Sequence, residues 1–292
     1  MLMKRRTQRT VIIPGNLLLF GEYAVTREKG LGIALATRET VKITVSSSCS
    51  LFISGTNGHR SYSWTSGETY PSKLLAYLIP KLKNHPPIHI HIDSSELHYA
   101  CGRKKGFGAS AAITIGLISA MYQHIRGSEK QKFLPFCIRL HREFQGGMGS
   151  GYDILASYKG GAGLIEGGRI PKWTPMSPKP FEQLFLVKGE KTCITNDALR
   201  LFEAFLLKSP GICDRFVSIS NKLVKNLSSS LNLFHLSIML NQWINKQLSI
   251  ESFGQIDSVK PLGAGGELGL TLKKGKSAVR LQTSQRGIYW KQ

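Results

Sequence analysis

The segment that most narrows the choice of fold is Lys104-Lys105-Gly106-Phe107-Gly108-Ala109-Ser110-Ala111-Ala112, which opens directly into an apolar helix expected over 110–124. Gly106 and Gly108 let the backbone turn tightly and approach a ligand with no side chain in the way. The helix start then offers unpaired N–H groups and a partial positive charge to an anion. Ser110 adds a hydroxyl that can reach a phosphate-bound Mg2+, and Lys104 and Lys105 add positive charge. A glycine turn merely capped by Ser110 is the plainer alternative. A dinucleotide-binding turn would need a strand ending immediately before the glycines, and polar and mixed residues after Ile92 intervene. A Walker A loop would place Lys-Ser/Thr after the glycines, and that is absent.

Two further glycine segments frame the first. Gly146-Gly147-Met148-Gly149-Ser150-Gly151-Tyr152-Asp153 precedes a short helix. Ser150 as N-cap with Asp153 three residues on fits a capping arrangement. A carboxylate in a helix first turn also stays ionised, and in a glycine-lined cleft it suits the role of acceptor for a hydroxyl proton. Lys260-Pro261-Leu262-Gly263-Ala264-Gly265-Gly266-Glu267 leads instead into a strand-like LGLTL, where glycines serve close packing of backbone against a ligand or loop.

Composition sets outer limits. The 292 residues can bury one large domain or two lobes sharing an interface. The longest apolar stretches, such as 11–20, are interrupted by Pro14, Gly15 and Asn16, and nothing approaches the roughly 20 apolar residues of a membrane span. The basic start MLMKRRTQRT runs into no apolar region with a cleavage site, so neither a secretory signal nor a membrane partner is expected. The 39 Lys+Arg against 18 Asp+Glu give +21, which invites a nucleic-acid reading. The basic residues are scattered, however, and no RNP, zinc-finger or basic-helix signature accompanies them, so nucleic acid is not expected as the main partner. Cys49, Cys101, Cys137, Cys193 and Cys213 are odd in number and contain no CxxC pair. They indicate neither zinc nor a disulfide framework and suit a reducing cytoplasm.

No internal repeat is present. Strands are expected over 41–46 and 51–54, and helical spacing runs through Leu74, Leu75, Leu78 and Ile79 in 71–83. Ile88, Ile90 and Ile92 alternate with His89, His91 and Asp93 as on a half-buried strand. The two histidines could be a metal pair, but no third ligand stands nearby. Helices are expected over 131–144 and 152–159, then a Pro-rich crossing between lobes over 171–180. A strand around 185–187, helices near 198–207, 215–227 and 231–247, and a final strand pair complete the chain. Without a strict βαβ rhythm, the order points to an α+β architecture in two lobes, 1–170 and 181–292.

Together the glycine segments resemble the signature motifs of the GHMP kinases, the superfamily of galactokinase, homoserine, mevalonate and phosphomevalonate kinases. Pro14-Gly15-Asn16-Leu17-Leu18-Leu19-Phe20-Gly21-Glu22-Tyr23-Ala24-Val25 is similar to PGKxxLxGEYAV, KKGFGASAA to GLGSSAA, and GAGGEL to GAGGGD, in family order across almost the whole chain. Gly21-Glu22-Tyr23, and Gln145-Gly146 followed by Gly149-Ser150-Gly151-Tyr152-Asp153, most resemble phosphomevalonate kinases. The resemblance implies a ribosomal protein S5-like N-terminal lobe, a ferredoxin-like C-terminal lobe and ATP between them. It implies Asp153 as catalytic base with Asn16 at its side, Ser110 as Mg2+ ligand and Glu143 as the metal's acidic partner. Lys104, Gly106, Gly108, Ala109, Ser110 and Ala111 would surround the triphosphate. Gly21, Glu22, Tyr23, Lys105, Ser150, Gly263, Ala264, Gly265 and Gly266 would shape the substrate side, and Arg103, Lys104, Lys105 and Arg142 are the cations nearest in sequence for an acceptor phosphate.

The implied reaction is phosphorylation of (R)-5-phosphomevalonate by MgATP in isoprenoid precursor synthesis, by a cytoplasmic monomer or homodimer. Phosphorylation of mevalonate is the alternative within the family. A catalytically weak GHMP-like protein binding a ligand or RNA through its basic surface is the alternative from another class. Three departures from the motifs stand out: Asn16 in place of Lys, Ala109 in place of the first Ser, and a third motif one glycine short. Without a lysine charge at position 16, Asp153 is expected to titrate higher than in Lys-bearing relatives.

Overall fold

The computed structural model describes residues 8–82, 87–121, 133–189, 195–250, 258–263, 267–275 and 277–291. Its spine is an antiparallel pair, β1 (Arg9–Phe20) and β2 (Leu31–Ser47), with register from Arg9↔Val45 to Phe20↔Ile33. From Ile13 onward every residue of β1 is buried, the mark of a strand covered on both faces. Pro14-Gly15-Asn16, which reads as an interruption in sequence, is a register shift within the strand. A Cβ at Gly15 would lie 2.6 Å from the Phe107 carbonyl oxygen and 2.7 Å from Thr37 Oγ1. The shift also releases the Asn16 N–H to donate to Phe107 O at 3.0 Å. An irregularity in β1 therefore holds the glycine loop at 106–108, as bulges near sites commonly do.

β2 outruns any single neighbour. Its residues 42–47 pair β5 (Ile88–Asp93), and its residues 31–35 pair β6 (Ala162–Glu166). β3 (Phe52–Asn57) and β4 (Arg60–Thr65) form a hairpin, with β3 parallel to β5, and β7 (Lys172–Met176) edges β6. The last strand, β12 (Tyr289–Lys291), returns to pair β1, so the chain's described end lies on this first, eight-stranded sheet. Half of the Pro-rich stretch expected as a crossing is thus strand β7. Pro175 pairs Gly163 at the sheet edge, where a missing N–H costs no ladder bond.

Helices α1 (Lys73–Leu78), α2 (Ala109–Met121), α3 (Phe133–Phe144) and α4 (Tyr152–Lys159) follow in order, and α2 and α4 pack on β1 and β2. Gly116 lets α2 approach the sheet, since a Cβ there would meet Ile43 Cδ1 at 2.5 Å and Ile13 Cδ1 at 2.7 Å. A second antiparallel sheet runs β11 (Val279–Arg280), β8 (Phe185–Lys188), β10 (Leu268–Thr271), β9 (Lys260–Pro261). It is accompanied by α5 (Thr195–Lys208), α6 (Pro210–Leu227) and α7 (Phe234–Gln247). One apolar core runs through both parts, from Val11 and Ile43 to Phe234 and Leu270. The architecture is mixed α+β. Among the described residues no helix is long and apolar enough to cross a membrane.

Candidate active site

A cleft of about 900 Å3 is walled by the glycine loop, the start of α4, the β1 irregularity, and Leu262, Gly263 and Glu267. Gly106 and Gly108 have φ 87° and 66°, a left-handed backbone that favours glycine. At Gly106 a Cβ would come 3.0 Å from Glu267 Oε2, and at Gly108 it would overlap the Asn16 amide. Burial pushes the Glu267 carboxyl up, while Lys104 and Arg103 pull it down. Asn16 is buried and donates through Nδ2 to Ser157 Oγ at 2.9 Å and to Gly108 O at 3.4 Å. Its Oδ1 is buried without a partner, as is Asn57 Oδ1 elsewhere on the cleft wall.

The sequence-derived loop residues divide. Lys104, Gly106, Gly108, Ala109 and Ser110 line the cleft. Ala111, fully buried, belongs to the core, and the Lys105 ammonium donates to Glu96 O at 2.9 Å. Of the third segment, Gly263 lines the cleft, and Ala264, Gly265 and Gly266 lie outside the described residues.

Asp153 stands in the first turn of α4 and is 7% exposed. The helix is capped by Gly151 at φ 79°, not by Ser150, whose hydroxyl only accepts from the Tyr152 N–H at 3.4 Å. Asp153 Oδ1 accepts the Ile154 N–H at 2.8 Å, and Oδ2 accepts from Gln145 Nε2 at 3.4 Å. His141 Nδ1 lies 3.2 Å from Oδ2, with the ring turned so that Nδ1 makes no aligned hydrogen bond. Burial pushes the carboxyl up, and His141, the Ile154 N–H and Gln145 together outweigh it, holding Asp153 below the usual carboxylate range. The neighbour that lowers Asp153 most thus stands at position 141, not at position 16. On its other side His141 Nε2 lies 3.2 Å from Ser110 Oγ.

His141 was not among the sequence candidates, although a signal existed. It falls four residues after Cys137 and three after Ile138, both buried, which puts it on the inward stripe of α3. Glu143, the expected acidic metal partner, is not among the described residues that line the cleft. Two residues on from His141 it is turned about 200° around the helix. Its carboxylate accepts from Tyr77 OH at 2.7 Å and Arg139 Nη1 at 3.2 Å, with Lys81 Nζ 3.7 Å away. Arg142 is a clamp: Nη1 donates to Arg169 O at 2.6 Å, and Nη2 donates to Ser150 O at 2.5 Å and Gly168 O at 2.8 Å.

The segment from Pro14 to Val25 ends at the junction of the two sheets. Gly21 turns at φ 89°, and Tyr23 is held at φ 61°, ψ −47° in a three-residue turn closed by Ala24 N–H donating to Glu22 O at 2.7 Å. Such turns are rare and strained. The Tyr23 ring lies against Phe202, centroids 5.1 Å apart. Between them the turn aims Glu22 at Lys260 of β9, and the two form a buried ion pair. Burial pushes Glu22 up and Lys260 down, and each partner resists the other's shift. Lys260 also lies 5.5 Å from the Phe20 ring centroid.

Among the described residues no cluster of three His, Cys, Asp or Glu side chains could cage a metal. Mg2+ fits all the same, because it is commonly held by one or two protein oxygens with nucleotide phosphates completing its shell. The Ser110 hydroxyl and the Asp153 carboxylate are such oxygens, on the same cleft.

Residues 69–161 match the family model for the GHMP kinases N terminal domain. No curated protein sequence matches the chain significantly. Solved structures superpose along its length. The Lin0012 protein from Listeria innocua is 18% identical over 98% of this chain and 99% of that one, with TM-score 0.77. L. major mevalonate kinase, in complex with R-mevalonate, is 16% identical over 98% of each chain, with TM-score 0.65. Streptococcus pneumoniae phosphomevalonate kinase, in complex with phosphomevalonate and AMPPNP, is 13% identical over 91% of this chain and 92% of that one, with TM-score 0.64. Residues 69–161 therefore match the GHMP kinases N terminal domain, and along its length the chain shares the α+β fold of these solved structures.

Proposed function

We propose that this chain is an ATP-dependent small-molecule kinase that transfers the γ-phosphoryl group to the hydroxyl of (R)-5-phosphomevalonate. Asp153 carries the reading: a buried carboxylate kept ionised in a helix first turn, sharing a cleft with a glycine loop whose helix start suits an anion. Phosphoryl transfer asks a protein mainly for positioning and charge stabilisation. Asp153 takes the acceptor's hydroxyl proton as that oxygen attacks. The N–H groups at 106–110 and the Lys104 charge hold the nucleotide phosphates. Mg2+, when bound, would neutralise charge on those phosphates, and Ser110 Oγ would hold it. Arg103, which lines the cleft, is assigned to the acceptor's phosphate. Buried free thiols at Cys137 and Cys213 suit a cytoplasmic location.

Mevalonate is the second reading, favoured by one observation. The guanidinium nearest Asp153 in sequence, Arg142, already donates to three backbone carbonyls, which leaves fewer cations for an acceptor phosphate. ADP release is measured with mevalonate, phosphomevalonate, galactose and homoserine offered separately. Phosphomevalonate should be preferred over mevalonate by about 10–100-fold, the usual effect of leaving a site's polar groups unpaired. Equal or better turnover of mevalonate replaces the first reading by the second, and turnover of none removes the kinase reading.

A further inference from the structure

We propose that His141 is a positioning residue for this reaction, a single imidazole tying the hydroxyl of the glycine loop to the carboxylate of the base. The inference rests on the assignment of Asp153 as base. The ring is 1% exposed, with Nε2 3.2 Å from Ser110 Oγ and Nδ1 3.2 Å from Asp153 Oδ2. Ser110 stands in the first turn of α2, Asp153 in the first turn of α4, and His141 in the last turn of α3 between them. One side chain therefore joins the working ends of two helices. The Phe144 ring, 6.3 Å away between centroids, packs beside it. The other buried histidine of this region behaves differently: His98 Nδ1 lies 2.8 Å from a backbone carbonyl, Ser94 O. A histidine needed only for packing can be satisfied in that way, whereas both ring nitrogens of His141 face side chains of the cleft.

The two ends of the bridge are unequal. The Ser110 end is a hydrogen bond, and at the Asp153 end Nδ1 is close but off line. A neutral ring meets both contacts with its proton on Nδ1 and the Ser110 hydroxyl donating to Nε2. Ser110 Oγ then keeps its lone pairs for a ligand at the loop.

The bridge is tested in protein labelled with 15N at histidine, with the His141 resonances assigned by their loss in His141→Gln. Ser110→Ala should displace the His141 Nε2 resonance and Asp153→Asn the Nδ1 resonance, with His98 unmoved. If neither variant displaces its nitrogen, the bridge does not exist, whether or not the chain is a kinase. In turnover, His141→Leu should lower kcat about 10–100-fold, the cost of a misplaced catalytic group. His141→Gln, which keeps polar atoms at the ring's place, should recover part of that loss. Nucleotide affinity should stay within about threefold of wild type, because the loss falls on the transition state. In an Asp153→Asn background His141→Leu should cost less than about twofold, since residues acting as a unit are not additive. Full additivity overturns the proposal. Should His141→Leu fail to fold, His141→Gln and the resonance shifts carry the decision. A wild type that phosphorylates no acceptor removes the proposed function and leaves the resonance test to decide the bridge.

Discussion

Asp153 and Glu22 are both buried carboxylates on one cleft, and burial pushes both toward the neutral form. They part company in what resists it. Asp153 sits in a helix first turn with the Ile154 N–H, Gln145 and His141 around it, and is held low. Glu22 depends on Lys260, a partner 238 positions away on the other sheet, and is left high. Several donors from elements already packed together keep a charge at little further cost. One charged partner brought across a junction does not, because the same burial penalises that partner too. We read the first as machinery and the second as a fastening between the two sheets.

The largest expected effect breaks the comparison at its catalytic side. Asp153→Asn should lower kcat by about 10²–10⁴, the worth of a positioned general base, with the fold kept. Steady-state turnover and a thermal melt measured side by side decide this. A variant that unfolds, or that stays active when folded, moves Asp153 to the structural side.

Lys260→Met tests the fastening. Breaking a buried pair by removing one partner costs about 3–5 kcal/mol, and replacing both partners by less polar groups is often close to neutral. Urea midpoints should therefore fall sharply in Lys260→Met and recover most of the way in Glu22→Gln/Lys260→Met. A single variant as stable as wild type, or a double variant worse than the single, contradicts the assignment.

The smallest effect is in pH. The ordinary value for Asp153 is 3.8, and its folded value lies below that. A depressed acid contributes stability that is complete above its unfolded value and is lost as pH falls through the folded one. Asp153 should therefore stay ionised through the whole neutral and mildly acidic range, and kcat should show no acidic limb from this group between about pH 7 and pH 5. An acidic limb near neutrality that Asp153→Glu displaces would show that the carboxylate is not held low.

Much of the site was legible along the chain wherever its cause is local. Gly106 and Gly108 before an apolar helix, and Asp153 at the start of α4, were readable because left-handed turns, helix starts and apolar runs leave their mark in adjacent residues. The strand over Ile88–Asp93 followed from alternation for the same reason. β1 was hidden, because Pro14-Gly15-Asn16 looks like a break until a partner strand and the Phe107 carbonyl are there to use it. That Glu143 stands out in the sequence and His141 does not has a similar origin. Both stand near Asp153 in sequence, and only the direction in which α3 turns its apolar stripe separates them.

The sequence by itself determined the α+β class, the phosphate-suited loop, the carboxylate in the α4 first turn and the order of the three glycine segments. Each of these follows from backbone preferences and short-range charge, which act between neighbours in the chain. Tertiary structure alone decided which polar groups meet: His141 with Ser110 and Asp153, Glu22 with Lys260, Arg142 with the carbonyls of Ser150, Gly168 and Arg169. Those meetings depend on how sheets and helices turn against one another. The pKa of a buried carboxylate responds to whatever lies within a few ångströms, and the distance along the chain plays no part in it.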